Sequence, residues 1–160
     1  MEETNTFPIK KSPVILTIIF DFLTGGIYSC AWFLIRRKGF NEISRTKKMG
    51  MGVPIICLLL LTLNLMFSFA GGILAGFAEA YGDEGIMVLA NNIEMSCKAL
   101  AYIGGFLLLI PSFKAKSMLE KYLTDKDRFA VSLSGAATFF FRIYYLQYRI
   151  NQIHKKALNK

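Results

Sequence analysis

Three polar side chains lie inside long apolar stretches of this chain, and they are the residues best placed to do chemistry. Asp21 and Arg142 are each the sole charge in their stretch, and Asn64 is the only strongly polar residue in another. Ionisable groups at membrane depth cost about 2.5–3.5 kcal/mol each, so they are usually paired or hydrated. An ion or proton site is one interpretation. We favour hydration near an interface or mutual neutralisation, and we predict that Asp21 and Arg142 interact.

The stretches that hold these residues are of membrane length. The chain has 160 residues, 54% of them hydrophobic, and a mean hydropathy of +0.42. Near-continuous apolar blocks of this kind indicate membrane helices rather than a soluble bundle. We therefore predict a single all-α integral membrane domain over residues 1–160, with hydrophobic helical segments at about 13–35, 53–77, 99–113 and 129–148.

The end of the first segment has the composition of a membrane boundary. Gly25-Gly26 permits a bend in the backbone. Tyr28 and Trp32 are four residues apart, so they share one helix face, and such rings favour the membrane–water interface. We predict that they and the following basic residues, Arg36 and Arg37, are interface anchors.

A strongly basic loop follows this boundary. Residues 36–48 carry six basic side chains against one acid, and the whole chain has a net charge of +8. Basic residues beside membrane segments set topology and attract anionic lipid head groups. No nucleic-acid-binding pattern accompanies them. We expect the bilayer and anionic phospholipids as partners, no nucleic acid, and a lipid-facing set consisting of Lys38, Arg45, Lys47 and Lys48.

Small residues recur every four positions in the second segment. Small side chains at this spacing let a second helix approach closely, as in Gly-x-x-x-Gly packing. Packing within the chain is the favoured interpretation, and a homo-oligomer contact is the alternative. The predicted packing residues are Ser68, Gly72, Gly76 and Ala80.

Two connecting regions differ in charge. Residues 79–94 contain four acids and no base, and we expect a solvated loop there rather than a cation site. Residues 114–128 predict a short amphipathic surface helix, with Thr124 and Asp127 capping the helix that follows. Its apolar face would consist of Met118, Leu119, Tyr122 and Leu123.

Signals of catalysis, metal binding or a cofactor are missing from the sequence. Cys30, Cys57 and Cys97 lie far apart and are expected to be free, buried thiols. His154 is the single histidine, and we expect it to be solvated. No phosphate loop, metal-ligand spacing or nucleophile motif is present. We therefore expect no enzyme activity and no cofactor.

The two ends of the chain share a weak internal repeat. An offset of 110 residues places Thr24-Gly25-Gly26 over Ser134-Gly135-Ala136 and Asn41 over Asn151. If both end segments bend at these small residues and leave by the face they entered, both basic regions lie in the cytoplasm and 79–94 lies outside. Four full spans are the alternative.

The motif Thr24, Gly26, Ile27, Tyr28 and Trp32 resembles a family of small bacterial integral membrane proteins that carries only a domain-of-unknown-function label. The tail at 145–151 is similar to the C-terminal end of that family. The resemblance implies a bacterial inner-membrane location and supplies no catalytic residue.

Two classes of function remain open from the sequence. In the first, the protein is a non-enzymatic membrane module whose basic cytoplasmic face engages anionic lipid or a partner protein. In the second, it is a small ion channel or transporter that uses Asp21, Asn64 and Arg142. The basic loop favours the first class, and the charges within apolar segments favour the second.

Overall fold

The protein is all-helical in the residues that its computed structural model describes, which are 7–44, 46–127 and 131–158, and no strand occurs among them. This confirms the all-α part of the predicted fold class. The helices are α1 (Val14–Leu23), α2 (Ile27–Ile43), α3 (Gly52–Tyr81), α4 (Glu84–Leu107), α5 (Leu109–Asp127) and α6 (Gly135–Leu158).

Helices α3 and α4 form an antiparallel hairpin. Gly82, with φ +67°, ends α3, and the Asp83 carboxylate caps α4 by accepting the N–H groups of Gly85 and Ile86. The predicted loop at 79–94 is therefore wrong, because a single Gly-Asp turn joins two helices. Glu79 and Glu84 lie on the helices beside this turn, and Glu94 lies further along α4.

Two helices are long and apolar enough to cross a membrane. One is α3, and the other is α4 continuing through Leu108 into α5, since Leu108 keeps right-handed helical geometry. The third predicted segment, 99–113, is thus the middle of a longer helix that begins at Glu84. The first and last predicted segments do not form such helices among the described residues.

The first segment is divided by the predicted glycine bend. Gly25 and Gly26 have φ values of +58° and +90°, which side chains with a Cβ rarely adopt. Ser12 hydrogen-bonds Arg36 at 2.7 Å, and Asp21 hydrogen-bonds Ser29. Since the residue numbers of these pairs rise on one side and fall on the other, α1 and α2 are antiparallel and fold back at the glycines.

The last segment bends at Arg142, not at the predicted Ser134-Gly135. Arg142 has a φ of +38° and non-helical geometry within α6. The Ser134 N–H donates to the Tyr145 hydroxyl at 3.0 Å, although eleven residues of straight helix would separate them by about 16 Å. The chain therefore folds back here too. The bends do not match the repeat offset of 110, and residues 128–130 lie outside the described part.

A packed base holds most of the buried core. It is formed by residues 7–12, α2, α5 and the part of α6 after Arg142. The predicted apolar face of α5 packs into this core, since Met118 and Leu119 are fully buried, but α5 continues α4 and is not a separate short helix. It also runs through Asp127, so Thr124 does not cap the next helix. Other core side chains include Phe7, Ile9, Phe33, Phe40, Leu146 and Ile150.

The hairpin contrasts with the base, because its large apolar side chains are exposed along most of its length. Exposed apolar surface of this extent needs a non-aqueous environment or a partner. Examples on the two helices are Leu65, Met66, Phe67, Phe69, Phe77, Val88 and Leu89. Helix α1 is similar, with Phe22 and Leu23 among its exposed residues.

Candidate functional site: a polar cavity between two helix bends

The Asp21 carboxylate joins three helical segments. Asp21 lies near the end of α1. Its Oδ1 accepts hydrogen bonds from the Ser29 backbone N–H at 2.8 Å and from the Ser29 hydroxyl at 2.7 Å. Its Oδ2 accepts the hydroxyl of Tyr144, which follows the bend in α6. Hydrogen bonds to a charged acceptor are about twice as strong as neutral ones. They stabilise the carboxylate without a cationic partner.

Arg142 does not form the predicted ion pair with Asp21. None of the hydrogen bonds or ion pairs found among the described residues involves the Arg142 guanidinium. The group lies beside α4, where a Cβ built on Gly105 would be 3.7 Å and 3.8 Å from its two terminal nitrogens. The predicted ion pair is therefore wrong: Ser29 and Tyr144 are the partners of the carboxylate, and the guanidinium lies next to Gly105.

Asp21 and Arg142 nevertheless line one cavity of about 210 Å³. Its volume exceeds the roughly 30 Å³ that one water occupies in the liquid, so it can hold a polar group larger than a single water. The lining residues are Asp21, Ser29, Phe140, Phe141, Arg142, Ile143 and Tyr144. Ser29 and Tyr144 were not predicted, because only the two bends bring α1, α2 and α6 together.

Asn64 belongs to a different place, the seam between α3 and α4. The Cys97 thiol lies 3.7 Å from the backbone oxygen of Asn64, and the Asn64 side-chain oxygen is buried without a hydrogen-bond partner. Asn64 does not line the cavity. The three predicted intramembrane polar residues therefore do not form a single site.

Two predicted interface anchors are core residues. Trp32 is 0% exposed, and its indole N–H donates to Gln147 at 3.0 Å. Arg36 is 6% exposed and lies over the Trp32 ring, with 4.7 Å between its guanidinium carbon and the ring centroid. Burial lowers the pKa of the Arg36 guanidinium, and the nearby Tyr28 hydroxyl opposes this. The aromatic–basic pattern thus forms a protein contact, not a lipid contact.

The other two anchors are half-buried. The Tyr28 ring lies 5.5 Å from the Phe20 ring between centroids, across the fold of α1 on α2. Arg37 donates through Nε to the Met49 carbonyl at 2.9 Å and so holds the loop after α2. Both residues therefore have structural contacts of their own.

The predicted basic loop is only partly a loop, because α2 continues to Ile43, and Arg36 at its start is buried. Lys38, Lys47 and Lys48 are exposed, and Arg45 lies outside the described residues. Lys47 donates to Ser117 at 2.7 Å, and Lys121 of α5 donates to Thr46 at 3.1 Å. These contacts place Lys121 of α5 beside the loop. We call the exposed lysines of this end the basic surface: Lys10, Lys11, Lys38, Lys47, Lys48, Lys121 and Lys155.

The predicted packing stripe does not pack within the chain. All four of its residues, Ser68, Gly72, Gly76 and Ala80, are exposed, and a Cβ on Gly72 or Gly76 would meet nothing within 4 Å. The close approach is instead at Gly71, where a Cβ would lie 3.0 Å from Ile93 Cγ2. The four predicted packing residues are therefore wrong, and the helix face that packs against α4 begins one residue earlier, at Gly71.

The cysteines, His154 and Glu94 are also possible sites, but none of them lies in a metal-binding arrangement. All three cysteines are free and buried, as predicted. His154 is not simply solvated, because its Nε2 is 2.7 Å from the Ile9 carbonyl and its ring packs edge-on against Phe7. Glu94 pairs with Lys98 at 2.7 Å. No metal-ligand cluster occurs among the residues described.

Comparisons with family models, curated proteins and solved structures found no match. The resemblance of the two chain ends to a bacterial membrane family therefore stays a prediction.

Proposed function

We propose that the protein is a non-enzymatic module of the bacterial inner membrane whose basic surface engages anionic lipid from the cytoplasmic side. In this arrangement α3 and the continuous α4–α5 helix cross the bilayer. The two bent end segments enter it and return to the same side. A partner protein with an acidic surface is the other ligand that the basic surface would accept.

The distribution of charge carries this proposal. Apart from Lys98 in α4, the described lysines lie on the packed base, whereas the hairpin tip has Glu79, Asp83 and Glu84 and no basic residue between them. Positive charge favours the cytoplasmic side of a membrane, and exposed bases there attract anionic lipid at about 1 kcal/mol each. The asymmetry runs along the hairpin axis, as it would for a helical pair crossing a bilayer.

The bent ends are compatible with partial entry into the bilayer. Both bends meet the hairpin at one level, Gly26 near Leu61 and Arg142 near Gly105, and Leu61 itself packs against Gly104. Non-helical backbone at membrane depth requires satisfied polar groups. At the first bend the Gly26 N–H donates to the Asp21 carbonyl at 2.9 Å, and the Tyr28 N–H donates to the Thr24 hydroxyl at 3.0 Å.

Lipid retention tests the proposed role of the basic surface. The triple variant Lys38→Gln, Lys47→Gln, Lys48→Gln should retain less phosphatidylglycerol in native mass spectra than the unmodified protein. The matched control replaces the same lysines with arginine, which keeps the charges and should preserve retention. Equal retention by the glutamine variant and the control would contradict lipid engagement by this surface.

A second candidate function is ion or proton transfer, and the polar cavity is the observation that favours it. Asp21 and Arg142 are charged groups at a bend in apolar segments, where ionisable residues often mark ion pathways. Dissipation of an ion gradient by protein in liposomes, and its loss in Asp21→Asn, would favour this candidate. A stable gradient would favour the lipid-binding module.

A further inference from the structure

We infer that the cavity between the two bends binds a phosphate group through Arg142, and that an anionic phospholipid supplies this phosphate. The inference uses the proposed membrane location but does not depend on lipid binding by the basic surface. It assigns a discrete lipid site at Arg142, away from the exposed lysines of the base.

The charge balance of the cavity leaves one positive group for a ligand. Asp21 has three protein donors, so its negative charge is satisfied within the fold. Arg142 lines the same cavity and has no acceptor among the hydrogen bonds and ion pairs of the described residues. An unpaired guanidinium in an apolar segment is costly, and its donors match phosphate oxygens in a two-pronged geometry.

The backbone at Arg142 has an unfavourable conformation. It is the one residue other than glycine with positive φ in the described chain, and its ψ is −114°. Such conformations cost of order 1–3 kcal/mol and concentrate at functional sites. A glycine would relieve this strain, as glycines do at the first bend. An arginine in this conformation supplies a cation at the bend that a glycine would lack.

The rim of the cavity is aromatic, which indicates how the anion arrives. Phe140 and Phe141 line the cavity, yet they are 73% and 58% exposed. In the proposed arrangement these rings contact acyl chains. A phosphate attached to a hydrocarbon tail therefore fits the rim better than free phosphate, which would have to cross an apolar surface to reach Arg142.

The experiment compares lipid retention by the full chain in native mass spectra. Arg142→Gln should lower retention of phosphatidylglycerol about tenfold, which corresponds to the loss of one charge-assisted hydrogen bond. Arg142→Lys keeps the charge and should restore part of the retention. Lys98→Gln removes an exposed positive charge from α4 of the hairpin and should leave lipid retention unchanged. Equal losses in Arg142→Gln and Lys98→Gln would overturn the proposal.

Two further experiments use the unmodified protein, so that their results do not depend on whether a variant folds. A phospholipid with a photoreactive group beside its phosphate should crosslink to residues 139–144, and crosslinks confined to the basic surface would overturn the assignment. Excess inorganic phosphate should not displace the lipid. Displacement by inorganic phosphate alone would overturn the lipid as the source of the anion.

Discussion

The indole N–H of Trp32 donates to the side-chain oxygen of Gln147 at 3.0 Å, and both side chains are completely buried. Gln147 in turn donates to Asn151, whose own amide donates to the Ser12 carbonyl. This chain of bonds joins α2, α6 and the N-terminal segment. The base is therefore held by a buried polar network as well as by apolar packing.

Replacing Gln147 with leucine should destabilise the fold by about 1–3 kcal/mol, because it leaves the buried Trp32 N–H without an acceptor. The free energy of unfolding in detergent measures this effect. Asn92→Leu, on an exposed face of α4, is the control and should change stability little. A Gln147 variant as stable as the control would contradict an energetic role for the bond.

The Asp21 carboxylate should be coupled to Tyr144 and not to Arg142. Asp21→Asn and Tyr144→Phe should each cost about 1.5–3 kcal/mol, the range for hydrogen bonds to a charged group, and the double variant should cost less than their sum. The cycle of Asp21→Asn with Arg142→Gln should be additive. A larger coupling to Arg142 than to Tyr144 would restore the ion pair that the sequence predicted.

Two adjacent glycines in α3 should tolerate substitution very differently. Gly71→Leu should cost about 1–3 kcal/mol, because its Cβ would lie 3.0 Å from Ile93 Cγ2 and force the hairpin apart. Gly72→Leu is the matched control and should be tolerated, since no atom lies within 4 Å of its Cβ. If Gly72→Leu instead lowers the oligomeric size in detergent, the exposed stripe is a contact between copies.

Labelling of single cysteines should show that the basic segments near Lys48 and Lys155 lie on the same side of the membrane. In a background without Cys30, Cys57 and Cys97, an impermeant thiol reagent on intact cells should label Glu84→Cys at the hairpin tip. Lys48→Cys and Lys155→Cys should react only after lysis, because positive charge favours the cytoplasm. Labelling of one of these two on intact cells would support four full spans and contradict the re-entrant arrangement.

Composition and local pattern determined the features that depend on near neighbours in the chain. The all-helical class follows from the long apolar blocks, and the bend at Gly25-Gly26 follows from the conformational freedom of glycine. The free, buried cysteines follow from their apolar surroundings and wide spacing. Each of these needs only the residue and its immediate sequence, so each could be predicted without a fold.

The tertiary structure decided which face of each helix is buried and which polar groups meet. Trp32 and Arg36 have the residue types of lipid-interface anchors, but α6 covers the Trp32 face and supplies Gln147 as its partner. Asp21 accepts hydrogen bonds from Ser29 and Tyr144 and does not pair with the oppositely charged Arg142, because the bends place those hydroxyls within hydrogen-bonding distance of it. Hydrophobicity and charge indicate whether a side chain requires burial or a polar partner. Only the packing of helices distant in sequence determines which group becomes that partner.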